Sequence, residues 1–254
     1  KERSITLADG STVSALWQKP KDAKAVLVLA HGAGAGMTHK HMAATADGLE
    51  ALGVAVLRYN FAYMEKGSKR PDNPPVAHAV VRAAVAHATK LAGGLPLFAG
   101  GRSFGARMTS QAQGQEPLPG VCGLVFFAWP LHPPGKAGVE RAEHLASVKI
   151  PMLFLQGGLD PATILRKARV MKPHFTRPNQ TWVELPTATH TTLASSPYVN
   201  ESGERRSCGT RLLMSFIEAP TASLDVSCVQ KVEPLDFTLP RTDVNQALFG
   251  TTPA

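Results

Sequence analysis

A serine flanked by glycines is the first residue in this sequence that could do chemistry. Ser103 lies in Gly-Arg-Ser-Phe-Gly at 101–105, directly after the apolar run 97–99 and before a helical pattern. Small neighbours let a strand, a sharp turn and a helix pack closely, with the serine hydroxyl presented at the turn. The following helix also directs free backbone N–H groups towards that position. The pattern therefore predicts that Ser103 is a nucleophile.

Two further residues could activate this serine. A serine hydroxyl needs a base, and the base needs a carboxylate that orients it. Asp160 follows the apolar run 152–155, and His190 follows the β-like run 182–185. All three residues thus come just after predicted strands, in the chain order serine, acid, histidine. We interpret them as a catalytic triad, and a helix N-cap is a second role open to Asp160.

A glycine-rich loop after the run 25–30 could complete the site. It contains Gly32, Ala33 and Gly34, and the two glycines would let the backbone approach a substrate. Charge that develops on a carbonyl oxygen needs backbone N–H donors aimed at it. We expect these donors to be the N–H groups of Ala33 and Phe104, with Gly32 and Gly34 contacting the substrate.

Cofactor and metal binding fit the sequence less well. A dinucleotide-binding G-x-G-x-x-G pattern in the same loop would place Met37 at its third glycine. His31, His39 and His41 have no carboxylate or thiolate at a useful spacing for a metal. We expect no cofactor and no metal.

Three basic residues are predicted to lie near the mouth of the site. Arg58, Arg102 and His132 could bind an anionic group of the substrate. Arg102 could equally brace the turn at Ser103 through a buried ion pair.

The elements that must position these residues alternate along the chain. Apolar runs typical of strands covered on both faces occur at 25–30, 54–57, 97–99, 124–127 and 152–155, and a half-exposed edge strand is predicted at 12–18. Helical patterns occur at 42–52, 76–91, 102–113, 162–171 and 204–217. Strands that alternate with helices indicate an α/β fold with a mostly parallel central sheet and helices on both faces.

Length and composition exclude several classes of protein. The chain has 254 residues, of which 44% are hydrophobic and 18% charged, so a disordered, collagenous or coiled-coil chain is excluded. No apolar run approaches the roughly 18 residues of a membrane span. The net charge of +8 raises the expectation of a polyanionic partner, but the basic residues are scattered. We therefore expect no nucleic acid and no membrane as partner.

The last residues break the alternation. We predict one domain over 1–219 and a C-terminal extension over 220–254, which could be an edge hairpin, an arm onto a second subunit or a loose tail. Three cysteines are too few for a disulfide scaffold. Cys208 and Cys228 could still pair if the extension packs on the last helix.

The combined motifs resemble the α/β-hydrolase superfamily and, within it, the dienelactone-hydrolase-like branch. They are most similar to bacterial relatives of the hydrolase-like domain of a chromatin acetyltransferase-complex subunit. The segments that carry the resemblance are His31–Met37, Arg58–Met64, Gly101–Gly105, Pro130–Lys136, and Leu155–Gly157 with Asp160. The resemblance implies an α/β-hydrolase fold. Dienelactone hydrolases use a cysteine nucleophile, so Ser103 favours simple ester hydrolysis.

Function follows as an expectation. We expect a serine hydrolase that cleaves carboxylic esters through an acyl-enzyme. Only about 23 residues separate the strand that ends near residue 128 from the one that starts at residue 152, whereas a large cap domain would need more room. Without such a cap the site suits small esters. Amide, thioester and peptide hydrolysis would use the same residues. The alternative is a catalytically reduced scaffold that binds a protein or polyanion. We expect a cytoplasmic monomer or homodimer.

Overall fold

An eight-stranded sheet forms the centre of the molecule. The computed structural model describes residues 1–131, 138–160, 175–193 and 195–234. The strands are β1 (Glu2–Thr6), β2 (Thr12–Gln18), β3 (Ala25–Ala30), β4 (Val54–Tyr59), β5 (Leu97–Arg102), β6 (Val121–Phe127), β7 (Met152–Gly157) and β8 (Gln180–Leu185). Their order is β1-β2-β4-β3-β5-β6-β7-β8. Neighbouring strands from β4 to β8 are parallel, whereas β2 pairs antiparallel with both β1 and β4.

The second strand corrects one prediction. The run 12–18 was expected to be an edge strand, but β1 pairs with its outer side. Its alternating burial agrees with the sequence pattern, because Val13, Ala15 and Trp17 are buried while their neighbours are not. The first strand was missed because ERSIT has only one apolar residue, Ile5, that becomes buried.

Helices cover both faces of the sheet. They are α1 (Lys40–Ala51), α2 (Ala62–Glu65), α3 (Pro74–Ala92), α4 (Phe104–Gln115) and α5 (Cys208–Glu218), with 3₁₀ helices at Glu140–Ser147 and Ser227–Lys231. One core cluster packs α3 and α4 against the sheet, and the other packs α1 and α5 against the opposite face. None of the helices in the described ranges is long and apolar enough to cross a membrane. The predicted α/β fold with a mostly parallel sheet is confirmed.

The C-terminal part differs in detail from the sequence analysis. The helix predicted at 204–217 begins at Cys208, because Arg205–Ser207 forms a short strand β10 that pairs antiparallel with β9 (Pro197–Val199). A disulfide joins Cys208 to Cys228 and ties the extension to α5. The helix predicted at 162–171 and the residues from 235 onwards lie outside the described residues. The boundary at residue 219 stays a prediction.

Candidate active site

Ser103 occupies a strained turn between β5 and α4. Its φ is 50°, a left-handed value that is uncommon for a residue with a side chain. Its N–H donates to the carbonyl of Phe127 at 3.1 Å. A Cβ at Gly105 would lie 2.5 Å from the carbonyl oxygen of His31, and one at Gly101 would lie 2.5 Å from that of Ala30. Only glycine fits at both positions, so the turn has the close packing that the sequence predicts.

Asp160 and His190 meet at the carboxyl ends of two adjacent strands. Asp160 follows β7 and His190 follows β8, which pair in parallel. The Asp160 side chain is fully buried, and its Oδ2 lies 2.7 Å from His190 Nδ1. Because an ionised carboxylate only accepts hydrogen bonds, Nδ1 carries the imidazole proton. Nε2 is then the nitrogen that can accept a proton from another group.

The loops that hold this pair also touch each other. The N–H of Leu159 donates to the carbonyl of Ala188 at 2.9 Å. A Cβ at Gly157 would lie 2.3 Å from the carbonyl oxygen of Thr189. The close approach of the two loops brings the carboxylate to the imidazole.

The serine is joined to this pair less directly. Within the described ranges, no hydrogen bond involves the hydroxyl of Ser103, which is half-buried. The residue before it, Arg102, lines the same cavity as His190. Catalytic hydrogen bonds are often long before substrate binds, so this geometry does not exclude Ser103 as the nucleophile.

The glycine-rich loop lies against the serine. A Cβ at Gly32 would lie 3.7 Å from that of Ser103. The Gly32 carbonyl accepts from His31 Nδ1 at 2.7 Å and from the Tyr63 hydroxyl at 3.3 Å. The Tyr63 hydroxyl also lies 2.9 Å from the Ala33 carbonyl oxygen. In a trans peptide the N–H points opposite to the carbonyl, so the Ala33 N–H points away from Tyr63.

The segment after β4, residues 60–63, braces the glycine-rich loop through hydrogen bonds. The N–H of Phe61 donates to His31 Nε2 at 3.1 Å, and Asn60 Oδ1 accepts from the N–H of Met37 at 2.9 Å. Tyr63 completes the brace. Asn60 and Tyr63 were assigned no role from the sequence, although both lie in the segment Arg58–Met64 that carries the resemblance.

The predicted role of Arg58 at the mouth of the site is not what its contacts indicate. Its guanidinium is buried and donates to the Met37 carbonyl at 3.0 Å and to Gln18 Oε1. The two terminal nitrogens of Arg58 therefore donate within the fold, to β2 and to the glycine-rich loop, and its Nε is buried without a partner among the described residues. His132, the other predicted basic residue, lies outside the described residues.

Burial fixes the protonation of the two side chains that hold the Gly32 carbonyl. His31 is fully buried, and this burial lowers its pKa, so the ring is neutral near pH 7. Burial raises the pKa of Tyr63 to about 12. Its hydroxyl therefore keeps its proton and acts as a donor.

A small cavity opens beside His190. Its volume is about 160 Å³, and its walls include Leu29, Met42 and Phe127 with Arg102. Within the described ranges, no group of three or more His, Cys, Asp or Glu side chains could hold a metal ion. The described walls of the cavity thus combine apolar side chains, the Arg102 guanidinium and the imidazoles of His41 and His190, whereas Ser103 is not among them.

Comparison with known proteins agrees with this architecture. Residues 23–192 match the family described as "Alpha/beta hydrolase domain". An α/β serine hydrolase homologue from Coxiella burnetii is 20% identical, with a TM-score of 0.61 over 75% of this chain and 89% of that one. An α/β serine hydrolase without a lid from Xanthomonas campestris is 20% identical, with a TM-score of 0.60 over 75% of this chain and 85% of that one.

A dienelactone hydrolase from Anabaena variabilis is 18% identical, with a TM-score of 0.62 over 75% of this chain and 88% of that one. At these identities the three structures support the fold. The family match covers most of the chain and includes the glycine-rich loop, Ser103, Asp160 and His190. The chain belongs to the alpha/beta hydrolase domain family.

Proposed function

We propose that this protein is a serine hydrolase that cleaves small carboxylic esters. The observation that carries the proposal is the 2.7 Å contact between the buried Asp160 carboxylate and His190 Nδ1, at the sheet edge that also holds Ser103. A histidine oriented by a buried carboxylate beside a serine in a strained turn is the arrangement that makes a hydroxyl nucleophilic.

In the first half of the reaction, Ser103 Oγ attacks the ester carbonyl carbon. His190 Nε2 takes the hydroxyl proton as the new Oγ–C bond forms, and Asp160 stabilises the resulting imidazolium. The N–H groups of Ala33 and Phe104 donate to the negative carbonyl oxygen. The bond from carbon to the alcohol oxygen then breaks, and His190 returns the proton to the leaving alcohol.

In the second half, water releases the acyl group. His190 Nε2 takes a proton from the water as its oxygen attacks the acyl carbon. The bond from that carbon to Ser103 Oγ breaks, and the proton returns to Oγ. One ester and one water thus give one alcohol and one carboxylic acid.

The small cavity beside His190 supports a short substrate; its described lining includes Arg102 and His190 but not Ser103. Its volume of about 160 Å³ is below the range of roughly 300–1,000 Å³ that is usual for sites of drug-sized ligands. The lidless relative from Xanthomonas campestris has the same fold. Thioesters and amides would use the same residues.

The relation to a chromatin acetyltransferase-complex subunit and the oligomeric state stay predictions. The cytoplasmic location was predicted as well, but the Cys208–Cys228 disulfide supports an oxidising compartment instead, because disulfides are rare where thiols are kept reduced.

Labelling with a fluorophosphonate tests the assignment of the nucleophile. We expect one label per chain on Ser103, found by peptide mapping, and turnover of short p-nitrophenyl esters by the same sample. Ser103→Ala should lose the label and lower kcat by a factor of at least about 10³. Asp160→Asn should lower kcat by a similar factor, because the imidazole loses its orienting partner.

Ser4→Ala is the matched control, since Ser4 is exposed on β1. It should label and turn over esters like the unaltered protein. Absence of label on folded protein would overturn the proposed function, and salt-sensitive binding of a protein or polyanion would then support the scaffold hypothesis. Label on another serine would overturn the assignment of Ser103.

A further inference from the structure

The loop that carries His190 depends on individual contacts for its shape. This His190 loop, residues 187–193 with 195 and 196, joins β8 to β9, and its described residues form neither helix nor strand. A loop without regular structure moves more freely than the elements it connects. The loop of Asp160 holds it on one side, through the hydrogen bond from Leu159 to Ala188. The contacts on its other side therefore decide how firmly the imidazole is placed.

The first turn of α5 holds the later half of the His190 loop. Ser196 is fully buried, and its hydroxyl donates to the Thr192 carbonyl at 2.8 Å and accepts from the N–H of Gly209 at 2.9 Å. The N–H of Cys208 donates to the Ser196 carbonyl at 2.8 Å. Thr192, two positions after His190, is thus connected to α5 through Ser196.

The C-terminal segment 227–233 holds both ends of the same loop. The Thr187 hydroxyl donates to the Glu233 carbonyl at 3.0 Å, and the N–H of Glu233 donates to the Pro197 carbonyl at 2.8 Å. Thr187 lies three positions before His190, and Pro197 follows the loop directly. The backbone of one residue, Glu233, therefore bridges the start and the end of the His190 loop.

The disulfide connects these two sets of contacts. Cys208 begins α5 and Cys228 lies in the 3₁₀ helix Ser227–Lys231, and both are fully buried. Glu233 follows Cys228 by five positions. The ion pair of Glu233 with Arg205 adds little, because these side chains are 41% and 47% exposed and water screens their charges. The disulfide is the covalent link that keeps the C-terminal segment on α5 and Glu233 on the His190 loop.

We propose that the C-terminal segment 227–233 positions His190 for catalysis, with Thr187 and the two disulfide cysteines as positioning residues. This inference rests on the proposed function. His190 Nδ1 must stay 2.7 Å from the Asp160 carboxylate while Nε2 takes and returns a proton. A displacement of about 1 Å can lower a rate about 10²-fold. Neither Thr187 nor the disulfide is among the described walls of the cavity, so loss of positioning should lower kcat and leave KM nearly unchanged.

A pair of substitutions at one threonine tests the hydrogen bond to Glu233. Thr187→Val keeps the shape of the side chain and removes the hydroxyl, so kcat for a short p-nitrophenyl ester should fall about threefold, with KM within about twofold. Thr187→Ser keeps the hydroxyl and should retain kcat. Thr89→Val is the matched control: it removes a hydroxyl that donates to the Val85 carbonyl at 2.9 Å on α3, which leads into the opposite end of the sheet.

Removal of the disulfide tests the covalent link. The variant with both Cys208→Ser and Cys228→Ser should lower kcat about tenfold with KM within about twofold, measured where near-UV circular dichroism shows it to be folded. Adding Thr187→Val to this variant should lower kcat little further, because both changes act through the same segment. Two factors that simply multiply would show independent effects and contradict the proposal.

A spectroscopic readout separates positioning of the imidazole from a merely structural role. The Nδ1 proton that His190 shares with Asp160 should give a proton NMR signal far downfield, identified in ¹⁵N-labelled protein by its loss in His190→Gln. We expect this signal to weaken in Thr187→Val and in the variant without the disulfide, because a looser loop exposes the proton to exchange with water. It should persist in Thr187→Ser and Thr89→Val.

Each outcome decides a separate point. Folded variants that keep kcat within about twofold, or whose kcat falls while the Nδ1 signal is unaltered, would overturn this inference and leave the proposed function standing. If the variant without the disulfide does not fold, the comparison of Thr187→Val with Thr187→Ser decides alone. No turnover of any ester by the unaltered protein would overturn the proposed function. The Nδ1 signal of the same variants then still decides whether the C-terminal segment holds His190 against Asp160.

Discussion

Tyr63→Phe tests whether the glycine-rich loop is held in place by the segment after β4. The substitution removes the hydroxyl that lies 2.9 Å from the Ala33 carbonyl oxygen and 3.3 Å from that of Gly32. His31 Nδ1 still holds the Gly32 carbonyl at 2.7 Å, so one of two constraints on the Ala33 N–H is kept. Loss of a direct oxyanion donor lowers kcat about 10²–10³-fold. For an indirect, partial loss we expect a fall of about tenfold, close to the roughly 1 kcal/mol of one net hydrogen bond.

The assay separates this effect from a general loss of stability. We expect kcat for a short p-nitrophenyl ester to fall while KM stays within about twofold, because the oxyanion forms only in the transition state. Thermal unfolding of the variant is measured in parallel. Tyr198→Phe is the control, since Tyr198 is buried on β9 in the other core cluster and should leave kcat unchanged. A Tyr63→Phe variant that folds normally and keeps full kcat would refute the argument that Tyr63 orients the Ala33 N–H.

Three further variants test the covalent link, the packing of the turn and a partly buried histidine. Replacing Cys208 and Cys228 by Ser should lower the free energy of unfolding by about 3 kcal/mol, since the bond spans a sequence separation of 20; an unchanged urea midpoint would contradict this. Gly105→Ala should destabilise the fold by roughly 1–3 kcal/mol and abolish fluorophosphonate labelling, because its Cβ would lie 2.5 Å from the His31 carbonyl oxygen; normal labelling would show that the turn can relax. Burial lowers the pKa of His144 from 6.5 to about 4. Between these two pH values the unfolded chain binds a proton that the folded chain does not. The free energy of unfolding therefore falls by about 3 kcal/mol as pH falls from 6.5 to 4. His144→Gln should flatten the fall in urea midpoint between pH 6.5 and 4 by that amount, and an equally steep fall in the variant would assign it to other groups.

The parallel core of the fold could be predicted because its strands are apolar on both faces. The run 25–30 coincides with β3, whose six residues are all buried. Such a pattern reports burial directly, since a strand covered by helices on each side has no solvent face. The strand β1 carries no comparable signal, because its pairing with β2 is decided by contacts far along the chain.

The candidate site could be predicted only where its signal is local. Ser103 stands in a short motif, and Asp160 and His190 were placed by the order of strands along the chain. The brace by Tyr63 could not be predicted in this way, because its hydrogen bonds to the glycine-rich loop span about 30 residues. Arg58 shows the same limit: its charge indicated a ligand, whereas its buried contacts with Gln18 and the loop are set by the pairing of β2 with β4.

The residues with a strained backbone lie at the same edge of the sheet as the candidate catalytic residues. Two described residues other than glycine have positive φ, Ser103 at 50° and Ala128 at 51°, and they follow the neighbouring strands β5 and β6. A backbone held in such a sparsely populated region costs roughly 1–3 kcal/mol for a residue with a side chain. Hydrogen bonds beyond the strand ends hold both turns, from Ser103 N–H to Phe127 and from Ala128 N–H to Leu155, at 3.1 and 3.0 Å. Strain that persists at one edge of an otherwise regular sheet points to a constraint other than stability, and the reacting groups of the proposed hydrolase lie at that edge.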